Sequence, residues 1–214
     1  MIRAAVFDVG GVLERVDDAA WPKVWIARWE RRMNVGEGHV EAVLARRESP
    51  AGSADGPLDE DQLRASLAVA LGLDEAQADE MMAEMWDAYC GDLDLVMRDF
   101  VVALRPRLQT AILSNSADGA RREEQRRYGL EDLVDVLVYS HEVGLEKPDP
   151  RIFRLTEELL RVRPEEIVFV DDNIANVQSA TDCGWHTVLH RESADSVRAV
   201  RRILLDNAEP SRSS

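Results

Sequence analysis

Apolar residues fall along this chain in two kinds of run. Short uninterrupted ones, Ala4-Ala5-Val6-Phe7 and then residues 110–113, 136–139, 167–170 and 186–189, have the length and the Val, Ile and Phe content of strands buried on both faces. Longer stretches with helical spacing predict helices over residues 95–104, 118–128, 152–160 and 175–183, and a last amphipathic helix over 193–205. Five strands, four of them separated by helical patterns, predict an α/β fold: a parallel sheet with helices on both faces.

The gap between the first strand and the second is far longer than a crossover helix needs, so it reads as an insertion, and its pattern is helical throughout. Trp21, Trp25, Trp29 and Met33 recur every four residues after Asp17 and Asp18, and Val40, Val43 and Leu44 mark a second helix. Residues 49–57 are a loop by composition. Asp59 caps a helix carrying Leu63, Leu67 and Leu71 that ends near Gly72, and Asp74 opens another with Met81, Met82, Met85, Trp86 and Tyr89. The methionines and Trp86 read as packing. The tryptophan face reads as core, with an aromatic platform for a substrate ring as the alternative. Arg28, Arg31 and Arg32 read as a solvated face pairing with Glu30, or as an anion clamp. Residues 121–127, with Glu123 and Glu124 among arginines, read as a salt-bridged surface helix. Residues 207–214 read as a frayed tail. There is no internal repeat or low-complexity tract.

Charge narrows the partners. Asp and Glu number 41 against 26 Lys and Arg, a formal net charge of −15, which disfavours nucleic acid and anionic membranes. No stretch approaches the ~18 apolar residues of a membrane span, and the first apolar run is too short for a signal core. Cys90 and Cys183 stand apart, with no metal spacing, and are expected as plain buried thiols. A soluble, cytoplasmic protein of unknown oligomeric state is expected. Only Lys23 and Lys147 are lysines, so a lysine at a functional position stands out.

In an open parallel sheet, ligands bind outside the carboxyl ends of the strands. Those ends read Asp8-Val9-Gly10-Gly11-Val12, Ser114-Asn115 and Asp171-Asp172-Asn173, with Glu146-Lys147-Pro148-Asp149 after the third strand. Singly each is common; together, in this order, they resemble the four motifs of the haloacid dehalogenase superfamily, in which phosphatases predominate. The resemblance covers residues 1–13 and 93–190, and within the superfamily the motifs are similar to those of a bacterial group that includes sugar-phosphate phosphatases. It implies a Rossmann-like doubly wound core, residues 1–13 and 93–214, with an inserted all-α cap, residues 14–92.

By the same resemblance Asp8 is the nucleophile that forms an aspartyl-phosphate, and Ser114 and Lys147 complete the catalytic set. Val9, Gly10, Ser114, Asn115 and Lys147 bind the phosphate. Asp8, the Gly10 carbonyl, Asp172 and the adjacent Asp171 hold Mg²⁺, and the substrate is a small phosphorylated metabolite. Charge supports a cation independently. Like charges about 4 Å apart at an effective dielectric of about 20 cost roughly 4 kcal/mol per pair, and three carboxylates plus a phosphate exceed what Lys147 offsets.

The sequence departs from the family at Gly10, where phosphatases carry a second Asp as general acid and base. Three explanations stay open: a better leaving group, a proton from Glu14, Asp17, Asp18 or His39, or a different reaction. The last is a metal-independent 2-haloacid dehalogenase, since halide leaves without a proton. A non-enzymatic phosphate-binding module is a further alternative. Of the histidines, His186 and His190 read as structural and His141 as nearest the site. The connections at residues 11–15 and 90–93 read as hinges on which the cap opens and closes.

Overall fold

The computed structural model describes residues 1–17, 20–47 and 59–208. Asp18, the loop at 49–57 and the tail beyond Ala208 lie outside the described residues. Two compact units emerge: Met1–Arg15, Asp92–Ser116 and Glu124–Ser214 form one, and Val16–Gly91 with Ala117–Glu123 form the other.

The first unit carries the strands β1 (Ala4–Phe7), β2 (Glu14–Arg15), β3 (Asp92–Leu93), β4 (Gln109–Ser114), β5 (Val136–Tyr139), β6 (Ile167–Asp171) and β7 (His186–Leu189). Five of them form a wholly parallel sheet in the order β5-β4-β1-β6-β7. Period-two alternation explains why the runs had to be apolar throughout. Ala5, Phe7, Ile112, Val168 and Val170 enter a core on one face, with Met97, Phe100 and Val101 of helix Leu95–Leu104. Ala4, Val6, Ala111, Leu113, Ile167 and Phe169 enter the other, with Ile152 and Phe153 of helix Pro150–Leu160 and with Trp185. Because β1 lies between β4 and β6, in register Phe7↔Ile112 and Phe7↔Val170, the residues following these three strands share one edge.

The chain pairs where the sequence suggested only connections: β2 and β3 form an antiparallel ribbon, Glu14↔Leu93 and Arg15↔Asp92. Two residues per strand are too few for an alternating pattern to register. Asp94 anchors the ribbon. Its carboxylate caps helix Leu95–Leu104 by accepting from the amides of Val96 and Met97, and also accepts from Arg15 Nε at 3.1 Å and Ser193 Oγ at 2.8 Å. Burial pushes this carboxyl up, but the Met97 amide, Ser193, Arg15 and Val96 outweigh it and hold it below the usual carboxylate range. Asp94→Ala is expected to cost about 1 kcal/mol or more of the first unit's stability at pH 7. A depressed folded value contributes stability above the unfolded value of about 3.9, lost as pH falls through the folded one. Urea denaturation at pH 7 and at pH 3 should therefore show the difference from wild type shrinking in acid.

The second unit is built from helices Trp21–Arg32, His39–Arg47, Glu60–Leu71 and Glu75–Cys90. Asp59 and Asp74 each close a reciprocal capping box, with Gln62 and Gln77 three residues on. Trp25, Trp29, Leu67, Leu71, Met81, Met82, Met85 and Trp86 form its core with Ala120. The arginines of the first helix pair elsewhere than with Glu30: Arg28 meets Glu84 at 2.6 Å, and Arg32 grips Glu80 at 2.8 and 3.0 Å while lying over the Trp29 ring. Glu30 is buried and accepts from the amides of Gly38 and Val40, closing the turn into the next helix. Glu60 accepts from Trp86 Nε1 at 2.7 Å and from both Arg122 amino groups, at 2.8 and 3.0 Å, so residues 117–123 belong to this unit.

Cys90 is buried and Cys183 half-buried, and neither is in a disulfide among the described residues. No helix among the described residues is long and apolar enough to cross a membrane.

Candidate active site

The carboxyl edge of the sheet gathers charge in a dry place. After β1 the chain turns tightly, with the amides of Val12, Leu13 and Glu14 all converging on the Val9 carbonyl. Gly11 makes the turn at φ +71°, and a Cβ there would stand 2.4 Å from Asp172 Oδ2, so only glycine lets these two loops approach. Asp8 is buried and accepts from the Val9 amide at 2.8 Å.

Lys147 sits at the centre, 3% exposed, with Nζ 2.7 Å from Asp8 Oδ1 and 2.8 Å from Asp171 Oδ2. Asn115, just past β4, fixes its backbone: Lys147 N donates to Asn115 Oδ1 and Asn115 Nδ2 donates to the Lys147 carbonyl, both at 2.8 Å. The Lys147–Pro148 peptide is cis, and Ser179 Oγ donates to the Pro148 carbonyl at 2.6 Å. Asp171 is fully buried, and besides Lys147 it accepts from the Asn173 amide at 2.7 Å and from Asn176 Nδ2 at 3.1 and 3.2 Å. Both of its oxygens are thus engaged by protein donors. Asp172 is half-buried, and one oxygen from each of Asp8, Asp171 and Asp172 lies within 4.8 Å of the others. Ser114 ends β4 opposite Tyr139 as a buried residue, and among the described residues its hydroxyl hydrogen-bonds only the Asn115 carbonyl, at a long 3.5 Å, which leaves it available to a ligand.

The electrostatics follow from burial. Burial pushes Asp8 well above the usual carboxylate range; Lys147 pulls it down, and the neighbouring Asp171 charge offsets part of that pull. Asp172 is raised as well, by burial and then by Asp171. Burial would lower Lys147, but Asp8 and Asp171 outweigh it, so the ammonium is firmly held. One cation among three carboxylates leaves an excess of negative charge in an all-oxygen donor set, which fits a hard divalent cation such as Mg²⁺.

The candidate proton sources separate. Glu14 is buried in the sheet unit, bridged by its backbone to Gly10. Asp17 accepts from the Ala20 amide, and His39 Nε2 bonds the Ala70 carbonyl at 2.9 Å, so both have roles within the helical unit. His141 Nδ1 shares a 2.8 Å hydrogen bond with Ser116 Oγ, beyond the ends of β4 and β5. His190 is buried against Ser196 Oγ, and burial lowers its pKa. The sequence reading missed Asn176, Ser179 and Arg191, whose Nη1 donates to the Asp172 carbonyl at 2.9 Å. Asn176 had a signal: it lies one turn past the capping Asn173, where a side chain points back over the helix N-terminus.

Fold and site together define an α/β protein whose acidic cluster lies at the carboxyl edge of a parallel sheet. The chain belongs to the haloacid dehalogenase-like hydrolase family, whose profile matches residues 2–184. It is 28% identical over 205 residues to a D-ribitol-5-phosphate phosphatase of Bacteroides thetaiotaomicron, covering 91% of this chain and 95% of that one. Among solved structures it resembles a wild-type family enzyme from the same organism in complex with magnesium and inorganic phosphate, with a TM-score of 0.70, 20% identity and coverage of 89% and 95%, a likeness of fold. It also resembles an L-2-haloacid dehalogenase from Xanthobacter autotrophicus with chloropropionic acid covalently bound, with a TM-score of 0.57, 25% identity and coverage of 98% and 85%.

Proposed function

We propose that this hydrolase is a Mg²⁺-dependent phosphatase of a small phosphorylated metabolite, working through an aspartyl-phosphate on Asp8. The observation that carries the reading is the placement of Lys147 Nζ between Asp8 and Asp171, with Asp172 in the same cluster. The near full-length relative that is a phosphatase supports it.

An Asp8 oxygen attacks phosphorus as the bond to the ester oxygen breaks, and the departing alkoxide takes a proton from solvent; water then attacks phosphorus, gives up a proton, and returns Asp8 as a carboxylate. Lys147 favours the ionised form of Asp8 against the effect of burial and offers its charge to the phosphoryl oxygens. Asp171, its own oxygens taken by Asn173, Asn176 and Lys147, orients that ammonium. The Ser114 hydroxyl and the amides of Val9, Gly10 and Asn115 receive the remaining phosphoryl oxygens. Asp8, Asp172 and the Gly10 carbonyl would hold Mg²⁺, with Asp171 beside them, and the ion would neutralise charge on the transferring group.

The dehalogenase reading keeps one observation in its favour: glycine at position 10, where no side chain can protonate a leaving oxygen. A panel of phosphate esters with graded leaving groups, polyol and sugar phosphates among them, separates the two. Phosphate release should vanish in EDTA and fall steeply as the leaving group worsens, since general acid help is worth about 10² to 10⁴ in rate. Release unchanged by EDTA would refute the metal-assisted mechanism. A flat leaving-group profile would assign the proton to a side chain, with Glu14 the first to replace.

A further inference from the structure

The amino-terminal edge of the same sheet bears a feature that the acidic centre does not use. A groove of about 730 Å³ is walled there by Arg3, Arg105, Arg107 and Arg161, with Asp135 as its one carboxylate and Leu108 as part of an apolar side. Four arginines line one concavity in a chain whose formal charge is −15.

The four are not equivalent. Arg105 is a strut: Nη1 donates to the Asp132 carbonyl at 2.6 Å and Nη2 to Asp135 Oδ1 at 3.1 Å. The other Asp135 oxygen accepts from the Thr110 amide and hydroxyl, at 2.9 and 3.1 Å, so the single acid of the groove is already engaged. Arg3 has only a loose partner, Glu166 at 3.8 Å. Arg107 and Arg161 are exposed and have no side-chain hydrogen bond or ion pair among the described residues. Arg161 also ends helix Pro150–Leu160 in the left-handed conformation, φ +55°, which glycine adopts more easily.

Planar guanidinium forks match phosphate oxygens bidentately, and two unpartnered forks beside two partly engaged ones match adjacent phosphates better than a single anion. The volume is that of a small-molecule site. We propose that this groove binds a small molecule bearing a di- or triphosphate, at a second site separate from the acidic centre. The six residues of β4, at about 3.3 Å each, set the two edges about 20 Å apart, so one ligand of this size does not span both.

Calorimetric titration with tripolyphosphate, in EDTA and at low salt, tests this. Wild type should show saturable binding that weakens as salt rises, and Asp8→Asn should bind equally well. R107E/R161E should bind at least tenfold more weakly while keeping the wild-type melting temperature and hydrolytic rate; Arg107→Gln should show a smaller loss in the same direction. Absence of saturable binding to wild type, equal affinity in R107E/R161E, or binding lost in Asp8→Asn would each overturn the proposal.

Discussion

Asp8→Asn is expected to lower turnover of phosphate esters by about four orders of magnitude or more, because an amide of the same shape cannot act as the nucleophile. The fold should survive. The substituted amide keeps the volume and an acceptor for the Val9 N–H, which donates to Asp8 at 2.8 Å, and Lys147 retains Asp171 at 2.8 Å. Removing one buried carboxylate from a cluster that holds three also relieves repulsion, so urea denaturation without metal should show stability equal to wild type or higher. Loss of activity with an undiminished unfolding midpoint would separate a chemical role from a structural one. Equal inactivity of wild type and Asp8→Asn across the ester panel, with both binding phosphorylated ligands, would instead favour a binding module.

Lys147→Met is expected to harm both activity and stability. It leaves Asp8 and Asp171 buried without the ammonium that stands 2.7 and 2.8 Å from them. Stranding one side of a buried ion pair costs about 3–5 kcal/mol. The pH dependence follows from the direction of the shift. Asp8 already lies above its ordinary value through burial, and loss of Lys147 pushes it further. A group raised in the folded state contributes stability that is present below its unfolded value, about 3.9, and lost as pH rises through the folded one. The deficit of Lys147→Met should therefore be small near pH 4 and grow towards pH 7, as read by denaturation at a series of pH values. A pH-independent deficit would mean that lost packing on the Phe169 ring, 5.6 Å from Nζ, dominates.

Strands and their order of chemistry were legible in the sequence because burial on both faces forces uninterrupted apolar runs, and because the residues just after each run gather at the ligand edge. The runs at 136–139 and 186–189 correspond to β5 and β7 as they stand, β6 extends one residue further into Asp171, and β4 extends one residue at each end, to Gln109 and Ser114. The helices of the insertion were legible from Asp59 and Asp74, whose caps set their first turns. What escaped was short or non-local. The β2–β3 ribbon joins positions 14–15 to 92–93, and no local pattern links residues so far apart. The partners of Arg28 and Arg32 lie on another helix, so sequence proximity pointed wrongly to Glu30. The side chain of Asn115 holds the backbone of Lys147, a pairing across 32 residues that no local pattern announces.

The most direct test of the central claim is the fate of solvent oxygen in a single turnover in heavy-oxygen water with Mg²⁺ present. Attack of water on an aspartyl-phosphate at phosphorus predicts label in the released phosphate and none in the Asp8 carboxylate, by mass spectrometry of the product and of the Asp8 peptide. Label in Asp8 would mean hydrolysis of a carbon ester, the dehalogenase route, and would contradict the phosphatase account.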